Sequence, residues 1–239
     1  MNTIRFEKRN TRVVAHRGLS GLEKENTASA FVAAGNRSYY GIETDIHRTA
    51  DGRFIVCHDA TLTRVGGENL SAEEVSLALS QSVTLFDVDG TKGRADLVTP
   101  TLENYLTIAK KYEKHCVLEL KSDFTEEEIA RILDIVRECY SLEDVTFISF
   151  CYDNLTKIRA LLPEQSVQFL FKEFTEDIVR RTLEDKMDVD VWHPSVTKEV
   201  VDLYHSHGRV VNCWTVNTRE DGERLAEMGV DFITTNILE

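Results

Sequence analysis

The sequence predicts an α/β fold and, within that class, a (β/α)8 TIM barrel. Three observations carry the prediction. Short β-branched apolar runs alternate with segments of helical period along most of the chain. Eight of those runs can be read as strands. The chain has 239 residues, and α/β barrels of about 250 residues are routinely single domains. An open doubly wound sheet is the competing layout, and it fits if one of the runs is not a strand.

In chain order, the first strand is residues 12–16 (RVVAH) and the second 41–46 (GIETDI). RFIVC (53–57) breaks the alternation, because HRTADG before it is too short for a helical crossover. Asp51-Gly52 is a two-residue hairpin signal, so this run should return antiparallel to the second strand. That loop sets Ala50 opposite Arg53, Arg48 opposite Ile55 and Asp45 opposite His58. Thr101 opens a helix with Leu102, Tyr105, Leu106 and Ala109 on one stripe. The third barrel strand is 116–120 (CVLEL). Thr125 and Glu128 form a capping box, followed by an apolar face of Ile129, Ile132, Leu133, Val136 and Tyr140. The remaining strands are 145–150, 167–171, 189–193, 210–216 and 230–235. Gly208 and Gly229 stand where helix C-terminal glycines belong.

Forty-one acidic against 28 basic side chains give a formal net charge of −13. That argues against nucleic acid and anionic membranes, which need a basic footprint. An anionic small substrate stays open, provided a few Lys/Arg or a cation supply local positive charge. No run approaches the roughly 20 apolar residues of a membrane span, and no signal peptide is read at the N-terminus, so no stable membrane insertion is expected. The five cysteines are scattered and lack a C-x-x-C pair, which points to a reducing, cytoplasmic location. Oligomeric state is not legible.

Polar clusters sit at predicted strand C-termini, the end where barrel enzymes keep their active sites. His16-Arg17-Gly18 ends the first strand, Glu43-Thr44-Asp45 the second with His58-Asp59 beside it, Glu119-Leu120-Lys121 the third, and Trp214 the seventh. Glu43, Asp45 and Glu119 are oxygen ligands that suit a hard cation, Mg2+ or Ca2+. Arg17 and Lys121 beside them complete a clamp for a phosphate. His16 and His58 supply two imidazoles fit for a base and an acid on opposite sides of a phosphorus. Taken singly, each piece has a plain structural reading: a solvated strand face, a surface ion pair, a histidine on a backbone carbonyl. His47 reads as an exposed arm residue, and Trp214 as a wall of the pocket.

The segments VVAHRGLSGLEKENTASAF, GIETDIHRTADGRFIVCHDATLTRVGG, TPTLENYL, VLELK, FISF, VNCWTVN and GVDFITTN resemble, in this order, glycerophosphodiester phosphodiesterases. The likeness runs from about Thr11 to Ile237. It implies one barrel domain over 1–239 with a small insertion, residues 60–99, after His58-Asp59. It implies hydrolysis of glycerophosphocholine or glycerophosphoethanolamine to glycerol 3-phosphate and an alcohol. It also implies Glu43, Asp45 and Glu119 as metal carboxylates, with Mg2+, Ca2+ or Mn2+ bound, and His16 and His58 as the acid/base pair. Arg17 and Lys121 would touch the phosphate, Trp214 would line the pocket, and Glu25 would brace the metal shell. The family commonly has Pro before that Glu, where this chain has Lys24. Two rivals stand beside this reading. One is a lysophospholipase D or sphingomyelinase D-like enzyme, for which LALSQSVTLF (77–86) would offer an apolar rim. The other is a non-catalytic phosphate-binding barrel.

Overall fold

A computed structural model describes residues 2–239. Nine strands are named: β1 (Arg12–Ala15), β2 (Gly41–Arg48), β3 (Phe54–Val56), β4 (His115–Leu120), β5 (Val145–Ser149), β6 (Val167–Phe171), β7 (Asp188–Trp192), β8 (Val211–Trp214) and β9 (Phe232–Thr235). Eight of them run parallel in the order β1-β9-β8-β7-β6-β5-β4-β2, and a β1–β2 pairing closes the ring. This is the (β/α)8 barrel. β3 pairs with β2, antiparallel, outside the ring, and Ile55 bridges Thr101 on its other side. The helices are α1 (Ala28–Gly35), α2 (Thr63–Gly66), α3 (Leu77–Ser82), α4 (Leu102–Lys111), α5 (Glu126–Cys139), α6 (Tyr152–Leu161), α7 (Glu176–Glu184), α8 (Lys198–Ser206) and α9 (Arg219–Met228).

The barrel interior carries an apolar plug of Val14, Val117, Ile148, Leu170 and Phe232, with Trp214 against it. A polar layer crosses the interior, where Asn212 Nδ2 donates to Gln168 Oε1 at 3.0 Å and Thr234 Oγ1 donates to Asn212 Oδ1 at 3.3 Å. Outside the strands, the apolar stripes of the helices complete the core. Leu102, Tyr105, Leu106 and Ala109 of α4 and Ile129, Ile132, Leu133 and Val136 of α5 are all buried there. Both helices open on capping boxes, Thr101 with Asn104 and Thr125 with Glu128. Gly229 ends α9 in the left-handed conformation. No helix among the described residues is long and apolar enough to cross a membrane.

The hairpin corrects the expected register by one residue. The pairs are Ile46 with Val56, His47 with Ile55 and Arg48 with Phe54. Thr49 N donates to Arg53 O at 2.8 Å and Gly52 N to Thr49 O at 2.9 Å, so the loop has three residues, not two. Gly52 takes the left-handed position (φ +70°) that ends a three-residue hairpin loop. Asp45 therefore faces Cys57, whose N–H bonds to its carbonyl, and His58 does not share its face. Residues 60–99 follow, with α2, α3 and a small cluster of Leu62, Val65, Val83, Leu85 and Leu97.

Candidate active site

The chain leaves β1 through a strained turn. Arg17 (φ +54°) and Gly18 (φ +75°) are both left-handed, and Arg17 N donates to Glu43 Oε2 at 2.7 Å. Gly18 has no alternative, since a Cβ there would lie 2.7 Å from Ala30. This turn aims the His16 and Arg17 side chains across the barrel mouth. Glu43 and Asp45 are alternate residues of β2, and Asp45 is in register with Glu119 of β4, so all three carboxylates point to one place.

Their ligand oxygens lie within 4.8 Å of one another, and Glu43 and Asp45 are 2% and 0% exposed. Such charges cannot stay buried without compensation. Arg17 gives part of it, its Nε 3.5 Å from Asp45 while Glu25 holds its Nη1 at 2.8 Å. Lys121 Nζ lies 2.8 Å from Glu119 and 3.6 Å from Asp45. Asn26 Nδ2 donates to Asp45 Oδ2 at 2.8 Å, while Asp45 Oδ1 is buried with no hydrogen-bond partner. Burial favours protonation of Asp45, but Arg17 and Lys121 overcome it and hold the carboxyl at about 2. Burial and the neighbouring acids push Glu43 well above the carboxylate range, and burial with Asp45 lifts Glu119 to about 8. Three converging carboxyl groups, two of them reluctant to ionise and one with an orphaned oxygen, fit a hard divalent cation, which would favour the ionised form of all three.

Both histidines line the same cavity of about 250 Å3, together with Arg17, Glu43, Glu119, Ile148, Lys172 and Trp214. His16 Nδ1 is 2.7 Å from Asn236 Oδ1, and that oxygen also accepts from Ser20 Oγ at 2.9 Å. With the Asn236 amide oxygen as acceptor, His16 Nδ1 carries the proton and Nε2 keeps its lone pair. Burial, aided by Arg17, lowers His16 to about 4. His58 Nδ1 is 2.7 Å from Asp59 Oδ1, and Arg64 Nε reaches Asp59 Oδ2 at 2.7 Å. Burial lowers His58 as well, with Asp45 and Asp59 opposing. His58 reaches the cavity because β3 stops at Val56 and the chain turns out of the sheet.

Glu25 touches none of the three carboxylates. It binds Arg17 and, through both oxygens, Arg64 at 2.7 and 2.8 Å, so it acts on the triad only by holding Arg17. Trp214 Nε1 donates to Asp190 O at 3.2 Å, and its ring meets Phe150 edge-on at 5.7 Å between centroids. His47 is a correction. It is buried at 5% exposure, 3.4 Å from Glu73 and 3.3 Å from the His58 carbonyl. Glu73 of the insertion packs against it, so His47 is not an exposed arm residue.

A family model described as the glycerophosphoryl diester phosphodiesterase family matches residues 16–239. The chain belongs to that family. A glycerophosphodiester phosphodiesterase of Bacillus altitudinis is 28% identical, covering 95% of this chain and 94% of the relative. A solved glycerophosphodiester phosphodiesterase from Parabacteroides distasonis is similar with TM-score 0.79 and 27% identity, over 95% and 93% of the two chains. A phosphodiesterase of Oleispira antarctica, solved with the product sn-glycerol-3-phosphate, shares the fold at TM-score 0.84 and 24% identity, over 94% and 92%. Four polar side chains around this phosphodiesterase cavity escaped the sequence reading: Asn236, Arg64, Asp190 and Lys172. Asn236 follows the last strand directly, and Lys172 follows 167–171, so position at a strand end was the usable signal. Arg64 gave none, because its partners Glu25 and Asp59 meet it only in the fold.

Proposed function

We propose that this phosphodiesterase hydrolyses glycerophosphodiesters to glycerol 3-phosphate and an alcohol, with Glu43, Asp45 and Glu119 holding a divalent cation. The observation that carries the reading is one cavity joining a buried carboxylate triad to two imidazoles, each tied at Nδ1 and each presenting Nε2. The Oleispira antarctica enzyme holds sn-glycerol-3-phosphate, and family membership supports the same product here.

When bound, the cation supplies Lewis-acid stabilisation of charge on the non-bridging phosphate oxygens. Arg17 and Lys121 border the triad and face the same oxygens. His16 is the base: burial and the neighbouring Arg17 keep it neutral at pH 7, so Nε2 can take the proton of the attacking oxygen as that oxygen bonds to phosphorus. His58 is the acid. Asp45 and Asp59 oppose the burial that disfavours its imidazolium, and that imidazolium hands a proton to the alcohol oxygen as the P–O bond breaks. The attacking oxygen is that of water, or it is the substrate's own 2-hydroxyl, in which case the departing alcohol leaves a cyclic phosphate that water then opens to glycerol 3-phosphate, the two imidazoles exchanging roles.

A lysophospholipid reading needs apolar surface at the rim. Val83 and Leu85 of the 77–86 segment are instead 7% and 4% exposed, packed inside the insertion's own cluster, and the exposed Leu79 lies beside Glu68, Ser82 and Lys92 and not on the cavity of the two histidines. Release of glycerol 3-phosphate should therefore be far faster from glycerophosphocholine or glycerophosphoethanolamine than choline release from lysophosphatidylcholine, with Mg2+, Ca2+ and Mn2+ each tried. Choline release from lysophosphatidylcholine at an equal or higher rate would replace this reading with the lysophospholipase one.

A further inference from the structure

We propose that Lys172 sets headgroup preference, favouring glycerophosphodiesters whose alcohol carries an anionic group, a carboxylate or a second phosphate, over those carrying only an ammonium group. The inference rests on the hydrolase reading above and adds the substrate class.

Topology divides the cavity. Its chemical half comes from β1, β2 and β4, which bring His16, Glu43, Asp45 and Glu119. In the ring order β6 stands across the barrel from β1. The cavity is lined by both halves, so the β5–β8 side is open to one of the two ester arms of a phosphate seated at the triad, and we place the alcohol there. That half is walled by Ile148, Phe150, Leu170 and Trp214. Lys172 is placed in it by strand alternation. Gln168 and Leu170 of β6 face the interior, one bonded to Asn212 and the other in the apolar plug, and Lys172 continues that face just past the strand end.

The cations of the chemical half are already engaged. Arg17 is paired with Glu25 and Asp45, and Lys121 with Glu119 and Asp45. Lys172 differs: among the described residues it has no carboxylate oxygen within 4.0 Å and no side-chain hydrogen bond, although it lines the cavity. Asp190 lies deeper on β7, 1% exposed, and does not pair with it. An unneutralised ammonium beside an apolar wall attracts an anionic group and repels a cationic one more strongly than it would in open water. Lys172 is exposed at the lip, so exchanging it leaves the core untouched.

The test compares glycerophosphoserine with glycerophosphoethanolamine, which differ by one carboxylate, and adds glycerophosphocholine. Wild type should show kcat/KM at least tenfold higher for glycerophosphoserine. Lys172→Ala should bring the ratio near unity, and Lys172→Glu should invert it, both with an unchanged thermal midpoint. A ratio that neither variant moves would overturn the assignment. An equal fall on all three substrates would also overturn it, since Lys172 would then be serving the shared phosphate. No glycerol 3-phosphate from any substrate with wild type would overturn the hydrolase reading itself, and this inference with it.

Discussion

At the scale of single residues, the two histidines are set apart by what holds their Nδ1 atoms. An amide oxygen fixes His16 and a carboxylate fixes His58. General acid and base groups each contribute about 10²–10⁴-fold. His16→Ala and His58→Ala should each lower kcat by at least about 10²-fold. Circular dichroism should stay unchanged, because both side chains border a cavity. Near-full activity in either variant would remove that residue from the mechanism. The residues proposed to do the chemistry were legible as candidates because each lies at or near a barrel-strand end with a chemically distinctive side chain. Their supports were not. Asn236, Arg64 and Asn26 have common side chains whose roles depend on partners 220, 39 and 19 positions away.

At the scale of elements, the β1 turn and the β2–β3 hairpin fix the site. The turn carries strain at Arg17 that a glycine at the next position makes possible. Gly18→Ala would need φ +75° and a Cβ 2.7 Å from the Ala30 backbone. A loss of about 1–3 kcal/mol or more is expected, read as a lowered urea midpoint. Retained stability would show that the turn can relax. The hairpin shows the limit of local signals. Asp51-Gly52 correctly marked a turn, but Thr49 closes it with both its N–H and its hydroxyl, which adds a residue to the loop and shifts the register. The expected meeting of His58 and Asp45 on one sheet face was therefore wrong, and His58 lines the cavity by leaving the sheet. His115, at the start of β4, bears on pH. Burial lowers it to about 4, while the unfolded imidazole titrates near 6.5. Between those values the unfolded chain binds the extra proton, so this contribution is full above 6.5 and is lost as pH falls toward 4. His115→Gln should shrink the drop in urea midpoint between pH 7 and pH 5. An unchanged drop would place the acid sensitivity elsewhere.

At the scale of the whole molecule, the barrel was legible because all eight short apolar runs are strands, and the β1–β2 pairing closes the ring that an open doubly wound sheet would lack. A net charge of −13 repels an anionic diester wherever it is felt at the mouth. Salt screens surface charge beyond about 8 Å. The field at the mouth is then set by Arg17, Lys121, Lys172 and whatever cation the triad holds. The account thus stands on the triad being a cation site that serves P–O cleavage. The most direct test is 31P NMR of glycerophosphoserine and glycerophosphocholine incubated with the protein and Mg2+, Ca2+ or Mn2+, with and without excess EDTA. The account predicts that the diester signal gives way to the single monoester signal of glycerol 3-phosphate, that EDTA stops this, and that added cation restores it. Turnover at the same rate in EDTA, or a phosphorylated alcohol in place of glycerol 3-phosphate, would contradict it.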